Sequence, residues 1–513
     1  MRYIRWIAVA SLVVVGLAFA QNNVLTIGTT DSVTELSTAN SYDYFTWHVL
    51  AQTAQGLVRT KPGGTEIEPS LATSWDVSNG GLTYTFNLRH GVTFTDGSAF
   101  NAAAVKWSFD RALKLDGPKG ALGLIKGDIK NITVTDPYTV VFTLSHPDAT
   151  FLARLAPPIS PVEIMSPKST PADSFAKGKY AGTGPYKLVS YVPNQRVVLE
   201  AYSGYWGTKP KVSRVIYNMY SDASALRSAL QSGAIDIAYR SLNPQDITSL
   251  AKNASFKEVK PSGSLSIRYM LFNVSQKPFD NVKIRQAIAY AVDRQAIVTD
   301  VFSGINQPLY SMVPPGMWSH IDVFPHRDLE KAKQLLQQAG YSASNPLSFT
   351  LWYPTGHYGS TEPDVAAELK TALEQTGMMK VTLAALDWGT YTTRMPQGAL
   401  GVFTLGWYPD FIDPDNFLAP WLVDSTKSLG TFWNQAPDFA QYQQLLTKSI
   451  ETTDQTVRAG YYEQVQKMSA NDVPFIPLWQ TYGQLIAFTK PNVSGMVIDP
   501  AGNWDVATVG LSQ

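Results

Sequence analysis

The chain has 513 residues, 41 basic and 41 acidic side chains, 44% apolar and 16% charged residues, and no cysteine. That length exceeds what one core supports, so two or more folded domains are expected, and the apolar content excludes a disordered chain. The balanced charge gives no footprint for nucleic acid or an anionic membrane surface, and the absence of Cys excludes disulfides, thiolate metal sites, Cys nucleophiles and a thioether lipid anchor.

In chain order, Arg2 and Arg5 precede an apolar run from Trp6 to Leu17, and Ala18-Phe19-Ala20 supplies small residues before Gln21. This is the pattern of a cleaved signal peptide, residues 1–20. Losing Arg2 and Arg5 leaves 39 basic against 41 acidic residues. Val24 to Gly28 reads as a strand. Residues 82–89 alternate, with Leu82, Tyr84, Phe86 and Leu88 on one face, so they form a half-buried strand. Turns are expected at His90-Gly91 and Asp96-Gly97. Asn101 caps a helix whose inner stripe is Val105, Phe109, Ala112 and Leu113. A strand around Val140, Phe142 and Leu144 follows, then an irregular stretch from Pro157 to Pro171.

Beyond Gly182-Thr183-Gly184-Pro185-Tyr186 the pattern becomes β-α-β. Strands at 196–200 and 212–219 lead to a helix from Asp222 to Ser232 stopped by Gly233, then a strand at 234–238. Asp280 is expected to cap a helix with Ile284, Ala287, Ile288, Ala291 and Val292 inside. Further elements are a helix at 328–339 ended by Gly340, a strand at 347–353, a helix from near Thr361 with Pro363 in its first turn, strands at 381–386 and 401–405, and helix over 438–470. The fold class is α/β in at least two lobes, and ligands of such sheets sit beyond strand C-terminal ends.

One such end is dense in chemistry. Gly406-Trp407-Tyr408-Pro409-Asp410-Phe411-Ile412-Asp413-Pro414-Asp415-Asn416-Phe417 holds three Asp, two Pro and four aromatic residues. Rings bury ligand area and a recessed carboxylate attracts a cation or an ammonium, although Asp residues also cap surface turns. Catalytic patterns are sparse. The six His residues (His48, His90, His146, His320, His326, His357) form no His-x-x-x-His pair, and no Gly-x-Ser-x-Gly elbow occurs. Asp410 with Asp413 or Asp415 could serve glycoside chemistry; as calcium ligands they lack the usual loop spacing. No cofactor or metal is expected.

Several segments in order resemble the peptide/nickel class of solute-binding proteins of bacterial ABC transporters. They are Pro69-Ser70-Leu71-Ala72-Thr73-Ser74-Trp75; the stretch from Leu82 to Ala112, with Arg89-His90-Gly91-Val92-Thr93-Phe94-Thr95-Asp96-Gly97; Gly182 to Tyr186; Gly233-Ala234-Ile235-Asp236; Phe272-Asn273; Arg285 to Arg294; Lys331 to Gly340; and the aromatic-aspartate element. The resemblance implies a bilobal periplasmic-binding-protein fold, two mixed α/β lobes joined by two crossing strands and closing on ligand. Lobe I would comprise 21–54, 188–275 and 490–513, with an extra subdomain at 55–187, and lobe II 276–489.

The resemblance further implies that Asp410 takes a peptide's α-ammonium, with Trp407 and Trp388 beside it and Tyr391 following. Main-chain pairing would come from Thr30 to Val33, Ser32 included, and from near Leu405 and Tyr408, a β-augmentation mode. Dipeptide binders of this class clamp the ligand carboxylate with an Arg in the loop that here runs from Tyr353 to Gly359 and contains none. Either His357 takes that role, or the ligand is longer, or it is not a peptide. The expected protein is a periplasmic, non-enzymatic monomer that binds short peptides and touches the membrane only through its ABC permease. Alternatives are the same fold binding an oligosaccharide, a nickel chelate or an opine-like compound, and a secreted glycosidase. The mature chain should start at Gln21, which intact-mass measurement of the secreted protein checks; an unprocessed Arg2–Arg5 segment in the membrane fraction would refute it.

Overall fold

The computed structural model describes residues 23–117, 120–156, 162–423 and 429–512. The expected signal peptide and Gln21 lie outside them. Two large sheets organise the rest. The first contains seven strands, in spatial order Lys257–Val259, Ala487–Thr489, Ile237–Tyr239, Val24–Thr29, Arg214–Met219, Arg196–Ala201 and Tyr186–Val192. The second contains six, in the order Gln307–Pro308, Phe475–Gln480, Ile267–Phe272, Val402–Trp407, Leu347–Thr355 and Met379–Asp387. Each has its own apolar core. Leu265 to Trp479 supply one, and Leu25, Ile27, Val215, Tyr217 and Ile237 belong to another with Ala487 and Val506. Two separate cores make two lobes, and the fold is the bilobal α/β arrangement.

The chain passes between the sheets after Lys257–Val259 and again after Phe475–Gln480. Ile267–Phe272 therefore sits in the second sheet and Ala487–Thr489 in the first. A four-stranded antiparallel sheet, in the order Ala72–Ser78, Thr83–Leu88, Thr139–Leu144, Ile129–Asp136, carries a third core within the expected extra subdomain. Its Thr83–Leu88 strand alternates as the sequence dictates, with Tyr84, Phe86 and Leu88 buried.

Parallel pairing places the site. Val24–Thr29 runs parallel to both Arg214–Met219 and Ile237–Tyr239, and Leu347–Thr355 runs parallel to both Met379–Asp387 and Val402–Trp407. The C-terminal ends of parallel strands lie at the same edge of a sheet. Thus Asp31 and Arg240 emerge together in lobe I, and His357, Trp388 and Asp410 emerge together in lobe II.

Local chemistry sets the helix ends. Asn101 and Asp222 cap their helices by accepting from Ala104 N (3.0 Å) and Ala225 N (2.9 Å). Gly233, at φ +78°, ends the second of these. Three expectations shift. The helix expected to start at Asp280 is capped by Asn281, whose side chain accepts from Lys283 N, and spans Val282–Ala291. Of 234–238 only the end is strand, because Ala234 N still bonds Ala229 O as the helix closes and the Asp236 carboxylate ties down Thr26 N at 2.9 Å. The helix over 438–470 is two, Phe439–Glu451 and Gln455–Asp472, because the Asp454 side chain caps a fresh start. Asp454→Ala should lower stability by about 1 kcal/mol, the usual value of such a cap, measured as a shift in the denaturation midpoint.

Candidate ligand-binding site

The three Asp of the 406–417 element have different partners. Asp410 is 8% exposed; its carboxylate accepts from the Tyr42 hydroxyl of lobe I at 2.6 Å, and its own N–H is held by Asn416 Oδ1 at 2.7 Å. Asn416 Oδ1 also takes Trp407 Nε1 at 3.1 Å, so the turn is locked from inside. Although 43% of Tyr42 remains open to solvent, its hydroxyl end is withdrawn between the lobes, and that desolvation with the facing carboxylate holds the phenol pKa up, keeping it a donor. Asp413 instead pairs with Arg458 at 2.8 Å and accepts from Tyr462. Asp415 faces Arg154 of the extra subdomain at 4.0 Å, and burial raises its pKa to about 7. Asp410 faces the Tyr42 hydroxyl while Asp413 and Asp415 each face an Arg, so the three do not present the shared carboxylate pair that glycoside chemistry needs. Among the described residues no group of three or more His, Asp or Glu could hold a metal.

Beside Asp410 lies a cluster of rings and guanidiniums. Tyr408 of lobe II meets Tyr44 of lobe I at 5.8 Å between centroids. Arg240 lies over Tyr44 at 4.0 Å and over Tyr408 at 4.9 Å. Arg268, in the otherwise apolar Ile267–Phe272 strand, lies over Tyr358 at 4.1 Å and over Tyr408 at 5.5 Å. Gln484 Oε1 accepts from Arg268 Nη2 and from the Tyr408 hydroxyl, both at 2.5 Å. Such stacking stabilises a guanidinium that has left bulk water.

His357 stacks flat on Trp388, 3.5 Å between centroids and 2° between planes. Burial, then Arg268, then Arg240 push its pKa from 6.5 to about 3. It is neutral at physiological pH, so it supplies no full charge in place of the absent loop Arg. Tyr391 is buried; its hydroxyl donates to Thr404 O at 2.6 Å.

The main-chain positions divide as well. Thr30 is half-buried and Ser32 exposed, just past the Val24–Thr29 strand; between them Asp31 meets Arg240 Nε at 2.8 Å. Leu405 is a core residue whose backbone pairs with Tyr269. On its other side, Val402–Trp407 pairs with Leu347–Thr355 only at Val402 and Phe403. Where those strands part, the carbonyls of Thr404 and Gly406 accept from the hydroxyls of Tyr391 and Tyr358. Tyrosine hydroxyls therefore already cap two carbonyls on this side of the strand.

A pocket opens beside the ring cluster, between Ser241, Asn243 and Ile247 of lobe I and Arg268, Tyr358 and Glu362 of lobe II. Burial lifts the Glu362 pKa to about 7 against the opposing pull of Arg268. The sequence reading missed Tyr42, Tyr44, Arg240, Arg268 and Gln484. A signal for one existed: Arg268 is the lone charge in a strand whose six residues are all buried.

The depressed His357 pKa carries a sign. The unfolded chain binds this proton below pH 6.5 while the folded chain does not, so the stability contributed is complete above pH 6.5 and is lost as pH falls toward 3. The His357 ring resonances, identified by their loss in His357→Gln, should stay at the neutral position from pH 8 to about pH 5. A midpoint near 6.5 would show the ring solvated.

Comparison with known proteins accords with this geometry. Residues 66–428 match the family described as bacterial extracellular solute-binding proteins, family 5 Middle. The chain is 34% identical to the heme-binding protein A of Haemophilus influenzae, over 87% of this chain and 84% of that one. It is 30% identical to the dipeptide-binding protein of Escherichia coli, over 89% and 88%. The ABC transporter-associated periplasmic binding protein DppA from Helicobacter pylori, solved in complex with the peptide STSA, superposes with a TM-score of 0.80 at 28% identity, covering 96% of this chain and 98% of that one. The two-lobed frame, the cleft between the lobes and the matched span together make the chain a member of the family 5 bacterial extracellular solute-binding proteins.

Proposed function

We propose that this protein captures short peptides between its lobes, outside the inner membrane, and hands them to an ABC permease, acting as a monomeric carrier and catalysing nothing. The observation that carries the reading is Asp410, a buried carboxylate at a strand end and aimed across the cleft to Tyr42. Such a group favours an ammonium over a neutral sugar hydroxyl, and the rings of Trp388, Trp407 and Tyr408 offer area to side chains of varied shape. Relatives named for dipeptides and a neighbour bound to a tetrapeptide support the same choice. No helix among the described residues is long and apolar enough to cross a membrane. Contact with the permease would be peripheral.

The capped edge of Val402–Trp407 leaves less room for backbone pairing than β-augmentation uses, which shifts weight onto the charged ends of the ligand. Thr30 and Ser32 would contact the ligand by main chain, and His357 by its neutral ring. Asp410→Ala should weaken binding of an equimolar pool of unblocked dipeptides by at least about tenfold, since removing one partner of a buried charged pair costs roughly 2–5 kcal/mol. Calorimetry measures this, with melting of the free protein as the control. Unchanged affinity would refute the role of Asp410, and binding of hemin with no binding of peptide would overturn the reading.

A further inference from the structure

We infer that Arg240 and Arg268 form the anion end of the cleft, holding the carboxylate of a ligand whose ammonium rests on Asp410; this deepens the peptide reading and rests on it. The loop at 353–359 supplies no Arg, and His357 is neutral, so a ligand carboxylate must find its cation elsewhere. Arg240 and Arg268 are the two guanidiniums that converge on the site, one from each lobe, and both lie against the ring of Tyr408.

Arg240 is 5% exposed, and its Nε and Nη1 have no hydrogen-bond partner. Asp31 stands 2.8 Å from Nε without the alignment of a hydrogen bond, and Nη1 is buried with no hydrogen-bond partner. A buried guanidinium with idle donors is unfavourable unless an acceptor arrives, and a carboxylate matches its fork. The backbone is strained at the same place. Arg240 (φ +69°) and Ser241 (φ +59°) are consecutive left-handed residues, neither of them Gly. Conformations of that kind persist at functional sites because the surrounding fold imposes them.

The local charges agree. Asp31 faces Arg240, Glu362 titrates near neutrality and His357 carries no charge, so among the described residues no carboxylate forms an ion pair with Arg268. Ser241, next to Arg240, and Arg268 both line the pocket between the lobes.

The experiment compares the pool of unblocked dipeptides with the same pool amidated at its C-termini, by native mass spectrometry and calorimetry. Amidation should weaken binding to the wild type by about tenfold or more, as loss of one partner from a charged pair does. Arg240→Gln should bring the unblocked pool down to the amidated level while leaving the amidated pool unchanged. Arg240→Lys should recover part of the difference, and it also serves if the Gln variant fails to fold. Equal binding of both pools to the wild type would overturn the inference and leave the peptide reading standing. Binding of neither pool would overturn both. An Arg240→Gln variant that melts like the wild type yet weakens both pools equally would make Arg240 a structural residue and overturn the inference.

Discussion

Two positive charges are held out of water at one place, and the surroundings are built to tolerate them. An isolated buried guanidinium is costly, and what stabilises it is stacking, hydrogen bonding and nearby negative charge. Arg268 has Tyr358 and Tyr408 as ring partners and Gln484 as acceptor. It also lies across the backbone at Gly406, where an added Cβ would stand 2.4 Å from Nη1, so no larger residue fits without displacing it. The same field acts on its neighbours, helping to keep His357 unprotonated and resisting the rise in the Glu362 pKa.

The frame brings such groups together through topology. Each lobe sends the C-terminal ends of its parallel strands toward the other, as open α/β sheets commonly do where they bind ligands. Asp31 and Arg240 follow two such strands in one sheet; His357, Trp388 and Asp410 follow three in the other. Because the lobes have separate cores, the spacing between these sets depends on how the lobes meet and not on the packing within either.

Much of this was legible in the residues. Alternation revealed Thr83–Leu88, caps revealed the helix starts at Asn101 and Asp222, and the density of rings and carboxylates marked 406–417. What stayed hidden was which Asp did what. Asp413 and Asp415 look like Asp410 in local composition, and their partners Arg458 and Arg154 are far away in sequence. Arg240 was invisible for a similar reason: one Arg after a short strand reads as a solvated end until Tyr44 and Tyr408 are seen to enclose it. The split at Asp454 could have been caught, since Thr452-Thr453-Asp454 is a poor helix interior and a good beginning.

Arg154 has a role apart from any ligand. It belongs to the inserted subdomain, yet it reaches Asp415 and lies 5.0 Å over the ring of Phe411 in lobe II, while Ala149 N donates to Ile450 O of lobe II nearby. The lobes thus adhere at a second point besides the one between Tyr42 and Asp410. Any separation of the lobes has to part these contacts, so their strength enters the equilibrium between open and closed forms, and with it the apparent affinity for whatever binds only one of them.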